Sequence, residues 1–153
     1  MTQRSKPDIF LAYAKPDRAW AEQFQAALQA SGVDVWFDEA EIQPGDEWQQ
    51  PLEFALRESK TLVLILTPDS ISDPWTLFEL GAAIGDHKRI IPIVAKEFDR
   101  RNTPPLIGRY QFLEESSPLE AARRVAETVT QAVQVKALAA VTTPVIGVSH
   151  QHV

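Results

Sequence analysis

An indole and a carboxylate four residues apart, Trp75 and Glu79, fall on one face of a helix in the segment Asp73–Ile84. Such a pair can hold a ring and a developing cation. Glu79 lies between Phe78 and Leu80 in a stretch otherwise apolar from Leu77 to Ile84, where an unpaired carboxylate is costly. The alternative is a glutamate on the solvated face of its helix, the usual place for a single charged helical residue. Trp75 can stack on a ligand ring or wall a pocket, or it can simply pack against a sheet. Ser70, just upstream, can hydrogen-bond a ligand, or close a local turn. Trp48 can pack at the same site or anchor its own helix.

The elements that position these residues follow from punctuation and periodicity. Ile9, Phe10, Leu11 and Tyr13 form a strand bounded by Pro7-Asp8 and Lys15-Pro16. Trp20, Phe24, Ala27 and Leu28 then recur with helical spacing up to Ser31-Gly32. Val33 to Phe37 reads as a second strand, followed by a long acidic loop, Asp38 to Glu47, that turns at Pro44-Gly45. A second helix carries Ala55 and Leu56, with Pro51 in its first turn. Thr61 to Thr67 is nearly all apolar, as a central parallel strand covered on both faces should be. Asp73 before Pro74 is an N-cap and first-turn proline opening a third helix, in which Gly81 and Gly85 are expected to admit close backbone approach. Ile90 to Val94 and Tyr110 to Leu113 supply two more strands, and Leu119, Ala122, Val125, Ala126 and Val129 a last helix. This alternation predicts a three-layer α/β sandwich around a central five-stranded parallel sheet. Ligands in such sheets bind beyond the carboxyl ends of the strands, here Tyr13–Asp17, Asp38–Glu47 and Thr67–Pro74.

Composition narrows the function classes. The 153 residues suit one domain, and they contain no cysteine, which removes disulfides, thiolate metal sites and thiol nucleophiles and points to a reducing compartment, the cytoplasm. Fifteen Lys and Arg against 21 Asp and Glu give a net charge of −6, which disfavours nucleic acid and anionic membranes as partners. Apolar runs such as Leu62–Leu66 are too short to span a bilayer. Neither G-x-G-x-x-G nor G-x-x-x-x-G-K-[ST] occurs, and His87, His150 and His152 lack metal-ligand spacing. Strand 1 ends in Tyr13-Ala14 without the acidic pair of a phosphorylatable receiver domain. From Ala137 onward no charged residue appears. The division expected is an extension over 1–7, a domain over 8–135, and a flexible tail or linker over 136–153.

Three segments in order, Asp8-Ile9-Phe10-Leu11-Ala12-Tyr13, Val35-Trp36-Phe37-Asp38 with the Pro44-Gly45 turn, and Trp75-Thr76-Leu77-Phe78-Glu79, resemble a prokaryotic Toll/interleukin-1 receptor (TIR) domain. The likeness runs from about Asp8 to Gln134. It implies a flavodoxin-like fold and cleavage of the nicotinamide–ribose bond of NAD+, giving nicotinamide with ADP-ribose or a cyclised form, in bacterial immunity or interference with host signalling. NAD+ is then a substrate, with no cofactor and no metal. By the same resemblance Glu79 is the catalytic glutamate, contacting the nicotinamide ribose. Tyr13, Ala14 and Lys15 lie beside the nucleotide, with Lys15 placed for a phosphate. Ala14 departs from the serine or arginine common in that turn. The acidic loop with Asp38, Pro44, Gly45 and Asp46 reaches a neighbouring TIR domain in homotypic assemblies, where Lys88-Arg89 or Arg100-Arg101 would suit it. The alternatives are a non-catalytic TIR–TIR interaction module and a transferase forming a covalent glycosyl intermediate on its glutamate.

Overall fold

The structure, a computed structural model, describes residues 7–37 and 49–130. Within them run β1 (Ile9–Ala12), α1 (Arg18–Ala30), β2 (Val35–Phe37), α2 (Gln49–Glu58), β3 (Thr61–Leu66), α3 (Pro74–Gly85), β4 (Arg89–Val94) and β5 (Leu113–Glu114). A last helix, α4, occupies 118–130. All strand pairs are parallel, in the order β2-β1-β3-β4-β5. This is the parallel sheet that the alternation predicts, in the flavodoxin-like order that the resemblance implies. Its chain order reverses between β1 and β3, so their carboxyl ends part at a crevice.

The strands are apolar throughout because both faces are covered. Ile9, Leu11, Val63 and Ile65 point into a core shared with Phe24 and Leu28 of α1 and with Ala122 and Val125 of α4. The alternate residues Phe10, Ala12, Leu62, Leu64 and Leu66 point into a second core with Ala55 of α2 and Leu80 and Ala83 of α3. Period-two alternation thus feeds two cores of equal character. Pro92 is tolerated inside β4 because β5 pairs with that strand only at Ile93 and Val94.

Three local readings shift. The last strand forms at Leu113–Glu114 rather than Tyr110–Leu113, because Tyr110 closes a turn onto the Ile107 carbonyl instead of joining the ladder. Pro16 opens a single 3-10 turn, Lys15–Asp17, ahead of α1. At Gly81 and Gly85 an added Cβ would meet nothing within 4 Å, so neither glycine serves close backbone approach.

Candidate functional site at the carboxyl edge of the sheet

Helix α3 starts where the sequence places it. Asp73 accepts the Thr76 amide (2.9 Å) and hydroxyl (2.5 Å), and Pro74 occupies the first turn. The same Thr76 hydroxyl lies 3.3 Å from the carbonyl oxygen of Tyr13, at the end of β1. The buried face of α3 is Thr76, Glu79, Leu80 and Ala83. Glu79 is only 3% exposed, which sets aside the solvated-face reading for that carboxylate. One turn earlier, half-buried Trp75 stacks on Phe78 with ring centroids 5.1 Å apart, and Phe78 itself is 57% exposed.

Tyr13 is half-buried and stacks on Phe37 of β2 at 5.1 Å and 10°. Ala14 is buried and Lys15 exposed. The Thr76 contact thus joins the backbone of Tyr13 to the start of α3, with Lys15 on the adjoining turn, but the side chains diverge: the Tyr13 ring packs with Phe37 against the core shared with α1, and Trp75 against the core shared with α2. Ser70 is placed differently: it is 1% exposed, and its hydroxyl accepts the Thr67 amide at 3.0 Å and donates to the Thr67 carbonyl at 3.3 Å. Its bonds are those of the turn. Trp48, Asp38, Pro44, Gly45 and Asp46 lie outside the described residues. Lys88, one of the basic residues matched to the acidic loop, turns inward. Its ammonium donates to the Arg57 and Ser59 carbonyls at 2.8 and 2.5 Å, closing the end of α2.

A second buried carboxylate is unassigned by sequence. Asp17, 2% exposed, accepts the Thr67 hydroxyl at 2.5 Å and the Lys96 ammonium at 3.0 Å. Thr67 in turn accepts the Ser70 amide at 3.1 Å, making a reciprocal capping box with the Ser70 hydroxyl. Asp17, Thr67 and Lys96 follow β1, β3 and β4, so the network bridges the crevice between β1 and β3. The partners of Asp17 are 50 and 79 residues away, beyond what spacing along the chain can reveal. Its only forward signal was its place in the first carboxyl-edge loop. Among the described residues no cluster of His, Asp and Glu could hold a metal ion, and no helix is long and apolar enough to cross a membrane.

The model of the TIR domain family matches residues 9–129. A 2' cyclic ADP-D-ribose synthase of Acinetobacter baumannii, AbTIR, is 34% identical over 91 residues, covering 56% of this chain and 34% of its own length. The NAD(+) hydrolase PdTIR of Paracoccus denitrificans is 28% identical over 120 residues, covering 73% and 40%. This chain thus spans about a third to two fifths of those curated relatives. Among solved structures, the TIR domain of the Toll-related receptor TRR-2 of Hydra magnipapillata superimposes with a TM-score of 0.66 at 18% identity, covering 84% of this chain and 99% of that domain. With the parallel sheet, its strand order and this match in agreement, the chain belongs to the TIR domain family.

Proposed function

We propose that this chain cleaves the nicotinamide–ribose bond of NAD+, with Glu79 as the catalytic carboxylate. The observation that carries the reading is the burial of Glu79, 3% exposed, one helical turn from Trp75 at the carboxyl edge of a TIR fold. Relatives named as NAD(+) hydrolases and 2' cyclic ADP-D-ribose synthases support the substrate class.

The chemistry asks little of the protein. The bond from ribose C1' to the pyridinium nitrogen breaks with its electron pair going to nitrogen, so nicotinamide leaves neutral and needs no general acid, unlike an ordinary glycoside leaving group. Positive charge moves onto C1' and the ring oxygen. A carboxylate in a low-dielectric setting stabilises that charge far more than it would in water. Water then adds to C1' and gives up a proton, yielding ADP-ribose, or a hydroxyl of the same molecule adds instead and yields a cyclic isomer. Half-buried Trp75 supplies an aromatic surface suited to a flat ring, and exposed Lys15 suits a phosphate.

Homotypic TIR assembly belongs to the same reading. The acidic loop of Asp38, Pro44, Gly45 and Asp46 would meet a basic surface of a second copy, Lys88-Arg89 or Arg100-Arg101, of which Lys88 is engaged at the end of α2 and Arg100 and Arg101 pair with Glu114 and Asp99. A cytoplasmic role in bacterial defence or host interference accords with the absence of cysteine. The domain division 1–7, 8–135 and 136–153 remains part of the proposal. The test is nicotinamide release from NAD+ at high protein concentration, with products resolved by NMR. Nicotinamide in equal amount to ADP-ribose plus any cyclic isomer supports the reading, and no release from demonstrably assembled protein refutes it.

A further inference from the structure

We infer that Asp17 is a positioning residue for the NAD+-cleaving site, acting through Thr67 to set where α3 carries Trp75 and Glu79. The inference rests on the NAD+-cleaving reading for its functional meaning. Its geometric basis is a loop of contacts at the crevice between β1 and β3, closed by the chain itself from Tyr13 to Asp17. Asp17 holds the Thr67 hydroxyl, and Thr67 and Ser70 bond reciprocally. The Asp73 amide donates to the Ser70 carbonyl at 3.2 Å, Asp73 caps Thr76, and Thr76 returns to the carbonyl of Tyr13, four residues before Asp17. The turn after β1 is therefore fastened to both ends of the segment Thr67–Thr76.

That segment needs the fastening. It begins where β3 ends and contains Pro68 and Pro74, which donate no backbone hydrogen bond, so no strand ladder fixes it. With the Asp17 contact removed, the segment keeps only the tie between Thr76 and Tyr13 and can pivot about it, changing the tilt at which α3 carries Trp75 and Glu79. Lys96 donates to the other carboxylate oxygen at 3.0 Å and so orients it.

The experiment combines steady-state nicotinamide release with amide hydrogen exchange for wild type, Thr67→Val, Thr67→Ser, Asp17→Asn and the Asp17→Asn/Thr67→Val double variant. Thr67→Val should lower kcat by about 10- to 100-fold with KM held within about threefold, the penalty of misplacing a catalytic group by about 1 Å. Thr67→Ser, which keeps the hydroxyl, should retain activity. Exchange should quicken at least about tenfold over residues 70–79 and stay unchanged in β1 and β3, a pattern of local opening. The double variant should be no worse than its worse parent. Full kcat with unchanged exchange in Thr67→Val would overturn the inference, as would faster exchange spread evenly through β1 and β3. Where wild type itself releases no nicotinamide, the NAD+ reading fails on its own, and the exchange pattern still decides whether Asp17 positions α3. Should Asp17→Asn not fold, the Thr67 serine and valine pair gives the same decision.

Discussion

Two carboxylates are buried at the carboxyl edge of the sheet, Asp17 at 2% and Glu79 at 3% exposure, and they are held in different ways. Asp17 sits in a turn at the strand crossover, its oxygens taken by Thr67 and Lys96, which arrive from two other strands. Glu79 rides on a regular helix whose start is fixed by Asp73 and Pro74 and whose buried face continues into the apolar core through Leu80 and Ala83. The contrast separates a carboxylate held between the ends of several strands from one carried on the buried face of a capped helix. The first ties the edge together through residues far apart in the chain, whereas the position of the second follows from where its helix starts.

That comparison is sharpest at Glu79 itself. Glu79→Asp keeps the charge but withdraws it by one methylene, and should lower nicotinamide release by about 100-fold, since a displacement near 1 Å has that cost; activity close to wild type would mean the carboxylate need not be placed at all. Asp17→Ala strands the buried Thr67 hydroxyl and should cost about 1–3 kcal/mol in denaturant unfolding; an unchanged midpoint would show that this contact does not hold the edge. Asp73→Ala removes the cap of α3 and should cost about 1 kcal/mol, with the loss read as faster amide exchange at Thr76.

The smallest effect belongs to the exposed pairs of α4. The hydrogen bond from Arg123 holds the Glu120 carboxyl below its ordinary value. A depressed carboxylate stabilises above its unfolded pKa of about 4.3, and that contribution fades as pH falls through the folded value. Glu120→Gln should therefore shift Tm by no more than about 1 °C at neutral pH, because surface pairs are screened by solvent. A large shift would show that charges away from the carboxyl edge matter more than its buried network.

The fold was legible where periodicity was strong. Runs such as Thr61–Thr67 announce a strand covered on both faces, and the order Asp73-Pro74 marks the start of α3. β5 was misplaced because it is two residues long and Tyr110 and Phe112 suit a strand no less than Leu113. Trp75 and Glu79 were visible because both lie on one helix at fixed spacing. Ser70 was read toward a ligand, and its bonds to Thr67 could not be told from sequence apart from a ligand contact, since a serine in a turn offers the same hydroxyl to either. Asp17 escaped assignment because its meaning comes from Thr67 and Lys96, brought to it by parallel crossovers. Local patterns reveal what one element carries, and contacts between elements await the fold.

The central claim is that the charge of Glu79 drives loss of nicotinamide. Its most direct test is nicotinamide release from NAD+ by wild type and Glu79→Gln side by side, at matched concentration, folding and oligomer size. The account predicts steady release from wild type and a fall of at least about 1,000-fold in the variant, the scale on which removing a preorganised electrostatic contact is felt. Release undiminished by the glutamine would contradict it and move the chemistry to another residue.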